Sequence, residues 1–153
     1  MRAVLAALAG LLLLVGASGC GGDAHKADNA YVDAVNQAQS DFAASFDKLA
    51  AKVSATSSPQ QDVRTLRGFR GAVTGTVKRL RAIKPQPRVT ALHAQLVGAL
   101  GDYAGALTNA EKAFETSDPQ QVIAAETRLT SAVTQLSERI NRTIDAINRA
   151  LRG

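Results

Sequence analysis

Residues 119–151 read PQQVIAAETRLTSAVTQLSERINRTIDAINRAL, and the spacing of their apolar residues decides the fold. Val122, Leu129, Val133, Leu136, Ile140, Ile144, Ile147 and Leu151 recur at helical intervals and fall on one stripe, whereas a strand would need alternation with period two. The same spacing continues back through the chain. A helix over about 88–115 carries Val89, Leu92, Leu96, Leu100, Tyr103, Leu107, Ala110 and Phe114. One over about 59–83 carries Val63, Leu66, Phe69, Val73, Val77, Leu80 and Ile83, and one over about 28–53 carries Tyr31, Val35, Ala38, Phe42, Phe46, Leu49 and Val53. No stretch alternates long enough to argue a strand, so the expected class is all-α.

The breaks between these stripes carry helix-start chemistry. Ser58-Pro59-Gln60-Gln61 offers a capping hydroxyl, a proline for the first turn and a glutamine placed to close a capping box. Asp118-Pro119 repeats the device. Pro85 and Pro87 end the second helix and start the third, because the ring removes a donor and disfavours a helical residue before it. Connections this short leave sequential helices as antiparallel neighbours, which predicts an up-down-up-down four-helix bundle over residues 28–153. TSSPQQ at 56–61 and TSDPQQ at 116–121 lie 60 residues apart, and Ala72-Val73-Thr74 matches Ala132-Val133-Thr134 at the same offset. Either a helical hairpin was duplicated or two good caps arose independently; both give the same bundle.

The chain has 153 residues, 46% hydrophobic and 20% charged, enough for one domain with a true core and too apolar for wholesale disorder. A single cysteine excludes a disulfide scaffold and a cysteine-built zinc site. No tryptophan, two histidines and one methionine leave little for haem, metal or aromatic-platform chemistry.

Residues 1–19 differ in character from the rest. Met1-Arg2 gives a short positive start, Ala3–Val15 an apolar run of 13 residues and Ala17-Ser18-Gly19 a small-residue exit, the pattern of an export signal. The run falls short of the ~20 residues that cross a bilayer core. Ala17-Ser18-Gly19-Cys20 resembles the lipobox of bacterial lipoproteins, with alanine at 17 where leucine is commonest. The resemblance implies a diacylglycerol on the Cys20 sulfur, cleavage that makes Cys20 the first residue, and a lipid-anchored place on the extracytoplasmic face of a membrane. Simple secretion is the alternative, since Ala17-x-Gly19 also suits an ordinary signal peptidase. Residues 20–27, small and polar after Cys20, are expected to form a flexible tether of roughly 15 Å.

Candidates for catalysis are few. An enzyme needs a nucleophile with a base, a carboxylate pair in a pocket, or a metal. His93 neighbours the seam residue Leu92 and is expected at the rim of the bundle; His25 lies in the tether, so the two histidines share no helix face. Glu126 is the one acid on the fourth seam. Ferritin-like metal bundles use such carboxylates with Glu-x-x-His pairs, which this chain lacks, so Glu126 is expected to reach solvent or pair with a base. There is no phosphate-binding glycine loop, and Asn141-Arg142-Thr143 matches a glycosylation acceptor only by chance in a bacterial host. No catalytic residue, metal ligand or cofactor is expected.

Two features remain. The chain holds 18 basic and 13 acidic residues, but none of the acids lies between Asp62 and Asp102. That span contains Arg64, Arg67, Arg70, Lys78, Arg79, Arg81, Lys84 and Arg88. Either this block pairs with acids of the first helix (Asp28, Asp33, Asp41, Asp47), or Arg64, Arg67, Arg70, Lys78, Arg79 and Arg81 touch a polyanion, meaning anionic lipid or an envelope polymer. Nucleic acid is not expected, because no aromatics interleave the charges.

The second feature is glycine. Gly68, Gly71, Gly75 and Gly98, Gly101, Gly105 share one spacing, and each set falls opposite its own helix's apolar stripe. If the two helices are antiparallel, the sets lie level and form a bald outer patch. Six mid-helix glycines cost roughly 3–6 kcal/mol against alanine, a large part of a typical 5–15 kcal/mol stability. Close approach of a partner helix or a second copy is one compensation; free supply of glycine by a high-GC genome is the other account. The expected function is non-catalytic binding by an anchored envelope lipoprotein, with a structural spacer as first alternative and an enzyme or metal carrier as second.

Overall fold

In the computed structural model, residues 23–52, 58–116 and 118–152 are described, with side chains from Lys26 onward. They form four long helices: α1 Asp23–Ala50, α2 Pro59–Ala82, α3 Thr90–Glu115 and α4 Pro119–Arg152, with a 3-10 turn at Pro87–Val89. No strand occurs among the described residues, and the molecule is a helical bundle. None of the described helices is long and apolar enough to cross a membrane. Cys20, the whole of residues 1–22 and the expected seam residue Val53 lie outside the described residues.

The apolar stripes meet in one core. Val35, Val73, Val89, Ala99, Val133, Ile144 and Ile147 are almost wholly withdrawn from solvent, so each of the four helices and the 3-10 turn contributes to the centre. Aromatic rings join α1 to α2, with Phe46 and Phe69 centroids 5.0 Å apart and Phe42 packed 6.1 Å from Phe46. Leu49, Val63, Ile83, Leu92, Val122, Leu136 and Leu151 sit half-buried around the core, which narrows the seam towards the helix ends.

The caps explain where the helices start. Ser58 Oγ accepts from the Gln61 amide at 3.3 Å while the Ser58 amide donates to Gln61 Oε1 at 2.7 Å, a closed capping box with Pro59 in the first turn. Asp118 Oδ1 accepts from the Gln120 amide at 2.9 Å and caps α4, with the Gln121 side chain donating to Asp118 Oδ2 at 3.0 Å instead of closing a box.

Two boundaries differ from expectation. α1 begins at Asp23, so residues 23–27 are helical where a flexible tether was expected. That stretch has no large apolar residue to reveal a period, but alanines at 24 and 27 favour helix and an acid at its first residue suits the positive end of the helix dipole. The third helix opens with the 3-10 turn, in which the Val89 amide donates to Gln86 O at 3.0 Å, before α3 proper.

Candidate functional site

The basic block divides when folded. Arg67 Nε donates to Glu111 Oε1 at 2.8 Å and its Nη2 to Glu115 Oε1 at 3.0 Å. Arg70 Nε lies 3.0 Å from Glu111 Oε2. Glu111 is nearly buried, its side chain only 10% exposed, while Arg67 and Arg70 are 53% and 39% exposed, so two arginines of α2 close over one carboxylate of α3. Of the basic residues on α2, only Arg79 is paired with an acid of α1 among the described residues, at 3.8 Å from Asp41. The main acidic partner of α2 is therefore α3, not α1. Arg88 donates through Nη2 to Asp28 and, at 3.3 Å, to the Leu151 carbonyl. Among the described residues Arg64, Lys78, Arg81 and Lys84 are exposed and form no ion pair. The six arginines and lysines expected to share one polyanion face thus separate into three paired (Arg67, Arg70, Arg79) and three open (Arg64, Lys78, Arg81).

Glycine placement follows the wheel at five of six positions. A Cβ added at Gly71, Gly75, Gly101 or Gly105 would meet nothing within 4 Å, and one at Gly98 would only approach Arg139 Nη2 at 4.0 Å, where that arginine reaches across to Asp102. Gly68 is different. Its added Cβ would fall 2.6 Å from Leu49 Cδ2, because α1 crosses α2 there and the missing side chain lets the leucine in. Gly68 belongs to the α1–α2 packing and not to an open patch. The Arg67–Glu111 pair at one end and the His93–Leu80 bond at the other bracket Gly71 and Gly75 together with Gly98, Gly101 and Gly105 in one stretch of the α2–α3 pair. Arg64 and Lys78 flank it.

His93 is buried, not at the rim. Its Nε2 lies 3.0 Å from the Leu80 carbonyl, which can only accept, so Nε2 carries the proton; Nδ1, 3.2 Å from Tyr31 Oη, then accepts from the phenol. One ring ties three helices. The Leu80 carbonyl, in the last turn of α2, also accepts from the Ile83 amide at 3.0 Å, so His93 is its second donor. Burial pushes the Tyr31 phenol up to about 12, and burial raises Tyr103 in the same direction. A signal for this role is present in the sequence: Val89, Leu96 and Leu100 stand at i−4, i+3 and i+7 from His93, all on the seam. Glu111 has the same relation to Leu107 and Phe114.

A cleft of about 300 Å³ opens between α3 and α4, walled by Ala106, Ala110, Ala113, Ala125 and Leu129, with Asn109 and Arg128 at its mouth. Among the described residues no group of three histidines, cysteines, aspartates or glutamates is placed to hold a metal ion. Glu126 is half-buried. No protein-family model, curated protein or solved structure matches the chain.

Proposed function

We propose that the chain is a bacterial lipoprotein, held by a diacylglyceryl Cys20 on the extracytoplasmic face of a membrane, whose helical bundle acts by binding and not by catalysis. Ala17-Ser18-Gly19-Cys20 behind the 13-residue apolar run carries the reading. The two acyl chains of such an anchor, at ~0.8 kcal/mol per buried CH₂, hold a protein to a bilayer where one chain would not.

In this reading the helices run up-down-up-down. Support comes from Arg88, which touches both the start of α1 and the end of α4, and from His93 near the start of α3, which touches both Tyr31 and the last turn of α2. The contact face is the outer side of α2 and α3, where Gly71, Gly75, Gly98, Gly101 and Gly105 leave backbone exposed between Arg64 and Lys78. A protein helix, a second copy or a chain of envelope polymer is the kind of ligand such a surface takes.

The decisive measurement is the mass of the protein isolated from its own membrane. A diacylglyceryl modification on an N-terminal Cys20 is expected, and a free thiol or a retained Met1 would overturn the anchor. Gly71→Leu with Gly101→Leu should abolish capture of partners from native envelope. Unchanged capture would leave a spacer without a specific ligand.

A further inference from the structure

Charge is distributed unequally along the bundle. The contacts of Arg88 with Asp28 and Leu151 and of His93 with Leu80 bring the start of α1, the end of α2, the start of α3 and the end of α4 to one end. Residues 23–32, 78–92 and 145–152, which make up that end, hold eight basic side chains against three acidic ones. The opposite end, residues 47–52, 58–64, 111–116 and 118–128, holds five basic against six acidic ones. Helix dipoles account for part of this, since Arg81, Arg149 and Arg152 lie in last turns where a cation is favoured. They do not account for Lys84, which lies beyond the end of α2 and is exposed.

The positive end is also the end from which the N-terminal segment leaves. Asp23 precedes Asp28 by five residues, about 7.5 Å of helix. Cys20 precedes Asp23 by three more, at most about 10 Å of chain. An anchor at Cys20 therefore holds this end within about two Debye lengths of the headgroups at physiological salt, at high effective concentration.

We infer that the end bearing Lys84, Arg88, Arg149 and Arg152 docks on anionic phospholipid headgroups, so that the bundle stands on the bilayer with its α2–α3 face directed sideways. The inference rests on the proposed anchor at Cys20 for its leash, and on the basic end for its contact. Of these four, Arg88 is already shared with Asp28, so Lys84, Arg149 and Arg152 are the ones open to headgroups.

The full chain, processed by a bacterial host, is first weighed to read the state of Cys20. It is then placed in phosphatidylglycerol-containing or pure phosphatidylcholine vesicles with an environment-sensitive dye on Thr90→Cys, at the basic end. Dye burial in the anionic vesicles alone, reversed by salt, is expected. Each cation near an anionic surface is worth about fivefold, so Lys84→Gln, Arg149→Gln and Arg152→Gln together should lower the docked-to-free ratio on the order of 100-fold. Lys48→Gln, Lys52→Gln and Lys112→Gln, which remove the same charge from the other end, should leave it unchanged.

A dye signal equal in both vesicle types, or lost equally in both triple variants, overturns docking even when Cys20 carries its lipid. If Cys20 is unmodified the anchor fails separately, and the released protein is offered the same vesicles. Binding to the anionic ones that is lost only in the first triple variant upholds the basic end; no binding overturns it.

Discussion

Replacing Gly71, Gly75, Gly101 and Gly105 by alanine together should stabilise the bundle. All four lie inside helices, and an alanine Cβ at each projects into open space, with no neighbour within 4 Å to resist it. What remains is the difference in backbone entropy, ~0.5–1 kcal/mol per site, so the quadruple variant should gain about 2–4 kcal/mol. At about 4 °C per kcal/mol for a domain of this size, the midpoint of thermal unfolding should rise by roughly 8–16 °C. Circular dichroism at the helix band, with reversibility checked on cooling, reads the change. Gly68→Ala is the internal control: its Cβ would press on Leu49 Cδ2 from 2.6 Å, so the leucine tip must turn aside and the gain should be smaller or absent. A quadruple variant that melts at or below the parent temperature would refute the claim that these four sites are unoccupied in the free protein. An equal gain at Gly68 would refute the account of α1 crossing α2 at that point.

Two further outcomes are expected. His93→Leu leaves the buried Tyr31 hydroxyl without its acceptor and should lower stability by about 1–3 kcal/mol in urea unfolding. Tyr31→Phe in the same chain should restore part of that loss, and strictly additive effects would show that the two side chains are not coupled. Asp118 is held below the ordinary carboxylate range, first by the Gln120 amide and then by the Gln121 side chain and amide. A depressed folded-state value means its contribution is present above the unfolded value near 4 and is lost as pH falls through the lower folded one. Asp118→Ala should therefore reduce the melting temperature at pH 7, with variant and parent converging in strong acid; a gap that persists there would assign the effect to something other than the ionised cap.

The seams were legible because large apolar side chains at helical spacing have one way to leave water together, and the caps because serine, aspartate and proline before a stripe have few other uses. Asp28, His93 and Glu111 were not. Each is polar, so it reads as surface when residues are taken singly, yet each occupies a seam position and is buried against a partner remote in the chain: Arg88 for Asp28, Tyr31 and Leu80 for His93, Arg67 and Arg70 for Glu111. Composition cannot reveal such partners, because the pairing is set by which helix faces come together. The start of α1 was hidden for the opposite reason: residues 23–27 have no large apolar side chain whose period could disclose a helix.

The basic block shows how far a linear charge run can depart from a charged surface. Thirty-nine residues without an acid suggest one continuous positive face along α2. The fold instead brings Glu111 and Glu115 from α3 beneath Arg67 and Arg70, and Asp41 from α1 beside Arg79, so the middle of the run is largely neutralised by neighbours far away in sequence. The exposed pairs among these, Arg67 with Glu115 and Arg79 with Asp41, contribute little stability, ~0–1 kcal/mol each, so their larger effect is on the field outside the molecule. Cations with no acid folded against them keep that field, and Lys84, Arg149 and Arg152 concentrate it at one end. The location of the surplus therefore follows from which acids the bundle brings to which arginines. A ligand selected by charge would be drawn to the end of the bundle before its side.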